Sequence, residues 1–287
     1  MLRYGFGMAD FLDYELYKRS KAELKEYFST KDENVFYEKV SPSAYKKRYT
    51  VKPDFLADFK EYTKRDFIVP SEGNFDEFLD FLAKHPVFMS KPYDGLAGQD
   101  VTKEYSDKIS DKKAFFDNAV SNRLFFEELI IQHPDMNALC PTSVNTMRMM
   151  TFNDRGTPRL IWLGLRVGNG VNAVDNFHAH GVGVNIDVNT GRLVGEAIDK
   201  DLNHFTEHPT THVRFDGFQI PCFNEAKEMV LKASLESDKI LVVGWDVAIS
   251  ENGPVIIEGN RRPGFDLVQV LAGKGRRDIA DSVLKRL

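Results

Sequence analysis

Two acids stand where acids are costly. In GWDVAISENGPVIIEGN (residues 244–260), Asp246 and Glu258 interrupt apolar β-type runs, and Asn260 follows Glu258 by two positions. Carboxylates in such runs need partners. The runs are joined by Glu251-Asn252-Gly253, a hairpin signal. Facing residues of an antiparallel pair point to one side. A three-residue loop centred on Asn252 sets Asp246 opposite Glu258, with Asn260 on the same face. A two-residue Asn-Gly turn sets Asp246 opposite Gly259 and sends Glu258 to the other side. Only the first register gathers two carboxylates and an amide oxygen. Such neighbours repel, so one keeps a proton unless a cation is present. An all-oxygen set suits Mg2+ or Mn2+, which retain waters and share phosphate oxygens.

A metal held by few protein ligands points to a nucleotide, and the chain offers a phosphate grip upstream. KPYDGLAGQDV (91–101) puts Lys91 at a strand end, followed by a loop with Gly95, Ala97 and Gly98. Charge and backbone N–H groups in such a loop hold phosphates, although the spacing is neither GxxxxGK[ST] nor GxGxxG. LFFEELII (124–131) is an apolar strand with Glu127 and Glu128 inside it, able to present backbone groups to an adenine edge. Arg261 and Arg262 directly follow Asn260 and suit a substrate carboxylate or phosphate. His178 and His180 share a face if their segment is a strand, as proton carriers or substrate contacts. His204, His208 and His212 read as loop residues. No Ser-His-Asp or Cys-His order is evident.

The elements that must carry these groups are mixed. Residues 9–28 read as a helix and residues 53–64 as a second one opened by Pro53. Residues 75–84 place Phe75, Phe78, Leu79 and Leu82 on one helical face, with Asn74 as the cap. Residues 86–92 and 124–131 read as strands around a helix at 112–122. From Ser143 onward strands dominate (NTMRMMTF, PRLIWLGLRV, GVGVNIDV, RLVGEAI), followed by a helix over 223–237, the hairpin, and a helix pair from about 265 to 286. There is no regular βαβα rhythm, which favours α+β over a doubly wound sheet. The 287 residues suffice for one large domain or two closely packed ones. A net charge of −5 gives no global basic field for nucleic acid or an anionic membrane. Cys140 and Cys222 read as reduced thiols without a zinc cluster. The charged first twenty residues are unlike a signal peptide, and no apolar run is long enough to span a membrane, so a cytoplasmic protein is expected.

The order K-P-x-x-G-x-x-G, then E-E-x-I, then an arginine-bearing strand, then W-D and E-G-N resembles the ATP-grasp superfamily. QHPDMNALCPTSVNTMRMMTF and GWDVAISENGPVIIEGNRRPGFD are most similar to its sugar-transfer-associated branch. The resemblance covers roughly residues 50–275. It implies an ATP-grasp fold, two α+β subdomains clasping ATP, at about 51–130 and 131–287. A helical segment over 1–50 would stand in for the full α/β domain that often precedes them. It further implies that Lys91 and Lys52 bind phosphates and that Gly95 to Gly98 close over the triphosphate. Glu127, Glu128, Leu129 and Ile130 would form the adenine hinge, and Asp135 would reach the ribose. Asp246, Glu258 and Asn260 would hold one or two Mg2+. Similarity to the superfamily's amino-acid ligases places Arg148, Arg166 and Asn176 toward the γ-phosphate and acceptor. His180-Gly181 departs from the glycine pair found there.

The chemistry expected is ATP-dependent ligation: a carboxylate activated as an acyl phosphate and joined to an amine or other nucleophile. The acceptor would be a peptide, amino acid or sugar-linked molecule in polysaccharide or peptide biosynthesis. An alternative on the same nucleotide site is a kinase passing the γ-phosphate to a hydroxyl. A nucleotide-binding module without catalysis is disfavoured by the complete Asp246, Glu258 and Asn260 set.

Overall fold

The computed structural model describes residues 5–94, 100–170, 177, 181–237 and 239–287. Among them the chain is α+β, with two antiparallel sheets. It divides into a small unit, Lys47–Ile131, and a large unit made of Met1–Lys46 and Gln132–Leu287.

The small unit holds strands β1 (Phe67–Ile68), β2 (Val87–Pro92), β3 (Thr102–Tyr105) and β4 (Leu124–Glu128), in the order β1-β4-β2-β3. Helices Phe75–Lys84 and Lys112–Ser121 cover one sheet face. Phe78, Phe81, Leu82 and Phe116 of the helices pack there on Ile68, Phe88 and Phe126 of the strands. Alternation sends the next residues to the opposite face: Met89 lies across from Glu127 and Lys91 across from Phe125. Asn74 precedes the first of these helices but does not cap it with its side chain. Its amide instead accepts from Ser71 N at 2.9 Å and donates to the Val69 carbonyl at 3.0 Å. The asparagine closes the entry loop, a competing local use of the same group.

The large unit is built on seven strands: β5 (Thr146–Asp154), β6 (Thr157–Val167), β7 (Val182–Ile186), β8 (Leu193–Asp199), β9 (His204–Phe205), β10 (Val242–Ser250) and β11 (Gly253–Asn260). Their order is β11-β10-β5-β6-β7-β8-β9. Arg155 and Gly156 both have positive φ, which makes the tight β5–β6 turn. Helix Phe223–Leu235 packs on one face, the face of Trp245. The indole donates to Thr151 Oγ1 at 2.8 Å, so its buried N–H is satisfied. On the other face, Val242, Phe152, Met150 and Trp162 join one core with helices Asp266–Ala272 and Arg277–Leu284 and with the N-terminal segment.

That N-terminal segment is not one helix. Helix Met8–Asp13 ends before Glu15, whose φ of 49° breaks the helical path, and two single-turn 3-10 segments follow. Helix Thr30–Val40 is the substantial element, with Ser29 and Asp32 forming a reciprocal cap. No helix among the described residues is long and apolar enough to cross a membrane.

Candidate functional site

The face of the large sheet that is apolar at Val242 and Met150 becomes charged further along. Asp246 pairs with Glu258 on one side and with Arg148 on the other. Arg148 in turn faces Gly164, and Arg166 lies two residues beyond on the same strand. All four side chains therefore project from one face.

Two β-bulges produce this convergence. The β10–β11 turn is tight: Ser250 pairs with Gly253, so the loop residues are Glu251 and Asn252. Gly253 supplies a φ of 98° at its exit. This is neither of the loops anticipated from sequence. Continued regularly, it would set Asp246 opposite Ile257. Pairing instead passes from Val247–Ile256 to Asp246–Glu258, leaving Ile257 as an extra residue. The expected carboxylate pair therefore forms, through a bulge rather than a three-residue loop. On β6, pairing passes from Thr151–Leu160 to Met150–Trp162, leaving Ile161 over. Without it, Arg166 would project from the face opposite Arg148.

The electrostatics are those of a crowded pair of acids fed by two cations. Asp246 is only 1% exposed. Arg148 grips both of its oxygens, through Nε to Oδ1 and through Nη2 to Oδ2 at 3.1 Å. Arg166 Nη2 donates to Oδ2 at 2.9 Å and to Thr146 Oγ1 at 2.8 Å. Burial alone would raise the Asp246 carboxyl, but the two guanidinium groups outweigh it and hold it down at about 2. For Glu258 the balance reverses. Burial, then the neighbouring Asp246 carboxylate, push it above the usual carboxylate range. Asn260 Nδ2 donates to Glu258 Oε1 at 3.3 Å. Gly244 makes room for the arrangement, since a Cβ there would meet Pro263 Cβ at 2.5 Å and Arg148 Cδ at 3.2 Å.

A divalent cation fits this donor set. Glu258 is raised by burial and then by the carboxylate that faces it, and a hard cation beside the pair offsets both. The donors are all oxygen, as Mg2+ prefers. Among the described residues no cluster of three or more His, Cys, Asp or Glu side chains forms. Water and phosphate oxygens would complete the shell.

The small unit presents a second charged cluster, on the sheet face away from its helices. Glu127 is 3% exposed and is contacted by Lys91 Nζ and by Arg65 Nη2, the latter at 3.4 Å. Burial opposes its ionisation, but the charges of Lys91 and Arg65 prevail and hold it below its usual range. Lys52 opens helix Lys52–Asp58, and its backbone N–H donates to the Tyr93 carbonyl at 3.1 Å. That contact brings it to the same end of β2 as Lys91. After β4, Leu129 to Ile131 carry no ladder pairing among the described residues.

Other sequence candidates are placed as follows. Asp135 is exposed in the first turn of helix Pro134–Leu139. Arg262 pairs with Glu38, and Arg261 Nη1 donates to the Ser41 carbonyl at 3.2 Å. Both arginines thus face the N-terminal segment. Gly95, Gly98, Asn176, His178 and His180 lie outside the described residues. His208 lies in a loop, as read, and is buried there: Nε2 meets the Gly168 carbonyl at 2.8 Å and Nδ1 the Thr211 N–H at 3.3 Å. His204, also read as a loop residue, instead opens β9, where it pairs with Ile198 at the sheet edge. Cys140 and Cys222 are free thiols.

Three features were missed from sequence. Arg65 completes the Glu127 cluster, and Thr146 braces Arg166. The N-terminal helix Thr30–Val40 also fastens the loop after Asn260. Tyr37 OH donates to the Pro263 carbonyl, and Phe265 N donates to Glu33 Oε1 at 3.1 Å. Only the single arginine ahead of a short strand was a visible signal, and nothing in its spacing marks it out.

Solved structures of an ATP-grasp ligase, PsnB, share this fold. Its complex with a phosphomimetic variant of the minimal precursor, Mg and ADP superposes with a TM-score of 0.52 at 12% identity, covering 86% of this chain and 62% of that one. Its complex with the minimal precursor gives 0.50 at 14% identity, covering 86% and 63%. The chain thus spans less than two thirds of the length of these structures. At such identities the likeness is one of fold. Residues 67–285 match the family model described as sugar-transfer associated ATP-grasp, and the chain belongs to that family. No curated protein matches the sequence.

Proposed function

We propose that this chain is an ATP-dependent ligase that activates a carboxylate as an acyl phosphate and joins it to an amine or other nucleophile. The observation that carries the reading is the single sheet face bearing Glu258, Asp246, Arg148 and Arg166 in adjoining register. A nucleotide triphosphate is the common biological ligand that asks for both a hard-cation site and arginines beside it.

When bound at Glu258, Asn260 and Asp246, Mg2+ or Mn2+ would neutralise phosphate oxygens. Arg148 and Arg166 are already organised by Asp246 and would steady charge on the transferred γ-phosphoryl group. Lys52 and Lys91 would bind phosphate oxygens. Leu129 and Ile130, with Glu128, would offer backbone groups to the adenine edge. The chain needs no nucleophile of its own, because transfer of this kind rests on positioning and charge stabilisation. A sugar-linked acceptor is in keeping with the family description, and a peptide or amino acid is the alternative acceptor.

The test is a mass-resolved assay with ATP, Mg2+ and pooled acids, amines and sugars. ADP formed together with a new amide or ester mass supports ligation. A product heavier by one phosphoryl group would make the chain a kinase. Absence of Mg2+-dependent ATP binding would overturn both.

A further inference from the structure

In the Glu127 cluster one carboxylate is met by two cations, Arg65 and Lys91, and these differ in what they can do next. The Arg65 side chain is 3% exposed and that of Lys91 is 16% exposed. Arg65 is further tied through Nη1 to the Thr63 carbonyl at 3.4 Å. Lys91 is the penultimate residue of β2, diagonal to Glu127 on one sheet face. Of the two, Lys91 is the cation able to leave.

Its leaving would be costly if it were the only partner. A buried carboxylate stripped of its counter-ion carries a heavy desolvation penalty. Lys91 would then stay on Glu127 rather than turn to an arriving anion. With Arg65 in place the carboxylate keeps a counter-ion throughout. We propose that Arg65 is a positioning residue that frees Lys91 for an anionic ligand by acting as the standing counter-ion of Glu127. This rests on the nucleotide reading above for the identity of the anion, the ATP triphosphate.

The inference makes a sign prediction that simple loss of structure does not. Arg65→Met leaves Lys91 as the sole partner of Glu127, so MgATP affinity falls, by about tenfold if roughly 1.4 kcal/mol of pairing must be broken. Removing the anion as well, in Arg65→Met/Glu127→Gln, releases Lys91 and restores most of that affinity. Arg65→Lys retains a buried cation and stays near wild type.

The binding is read by calorimetry with MgATP on the full chain. Lys91 availability is read separately, by mass spectrometry after brief acylation without nucleotide. Labelling should be slowest in Arg65→Met and fastest in the double variant. A double variant that binds MgATP no better than Arg65→Met, while wild type binds, overturns the proposal. So does a Lys91 labelling rate indifferent to Arg65. If the labelling order appears but wild type binds no MgATP, the charge arrangement is supported and the nucleotide reading is what fails. Should Arg65→Met not fold, Arg65→Gln takes its place in the labelling test. Lys91 acylation slower than in wild type supports the proposal, and an unchanged rate overturns it.

Discussion

Glu33 is the most exacting test of how the N-terminal segment is joined to the sheet. It lies on helix Thr30–Val40 and accepts the Phe265 N–H, with Asp10, Asp32 and Asp266 nearby. Burial, aided by these acids and outweighing the Phe265 hydrogen bond, pushes its carboxyl up to about 8 from an ordinary 4.5. The protonated form is thus favoured in the folded chain. For an acid raised in this way, the folded state is relatively most stable below about 4.5. It loses stability as pH climbs from there to about 8, and the loss is then complete. At about 1.4 kcal/mol per pH unit, the full span is worth nearly 5 kcal/mol as an upper bound. Glu33 retains some access to solvent, so roughly 2–4 kcal/mol is the working expectation. Glu33→Gln keeps an oxygen for Phe265 N–H and removes the titration. Urea unfolding of variant and wild type should give nearly equal stabilities at pH 5, and a variant more stable by roughly 2–4 kcal/mol at pH 9. A constant difference across that range, or a variant that is less stable at pH 9, would refute the reasoning.

Further outcomes follow from the same geometry. Asp246→Asn should cost about 2–4 kcal/mol in urea unfolding at pH 7, because two arginines lose their buried counter-charge. It should also abolish Mg2+-dependent ATP binding, so both stability and binding are diagnostic. Glu258→Gln removes the carboxylate that faces Asp246 and leaves the register untouched. Secondary structure by circular dichroism should persist while Mg2+-dependent ATP binding falls at least tenfold. Gly244→Ala forces a Cβ into Pro263 and should destabilise the chain by about 1–3 kcal/mol, read as a lowered thermal midpoint.

How much was legible depended on whether alternation held. The Phe75–Lys84 helix and the small-sheet strands follow simple periodicities and were readable. The N-terminal run has helical composition, yet it breaks near Glu15, where the left-handed backbone is set by packing rather than by the residue itself. The candidate site is the sharper case. Asp246, Glu258, Arg148 and Arg166 could each be singled out by type. Their common face could not, because it depends on Ile161 and Ile257, two ordinary β-branched residues that carry no mark of being bulged. Register is a property of paired strands, and periodicity within one strand is blind to it.

The two units share one arrangement of charge, reached with different residues. In the large unit one ionised acid, Asp246, is flanked by Arg148 and Arg166, while Glu258 is held toward its protonated form. In the small unit one ionised acid, Glu127, is flanked by Arg65 and Lys91. In each cluster one buried carboxylate fixes two side-chain cations at once, so their heads are held by burial and hydrogen bonding rather than by their flexible stems. Removing the acid would loosen both of its cations together, whereas removing one cation leaves the acid with the other. The acids of the two sheets are therefore positioning groups for the cations around them, and their substitution is the more disruptive change in each cluster.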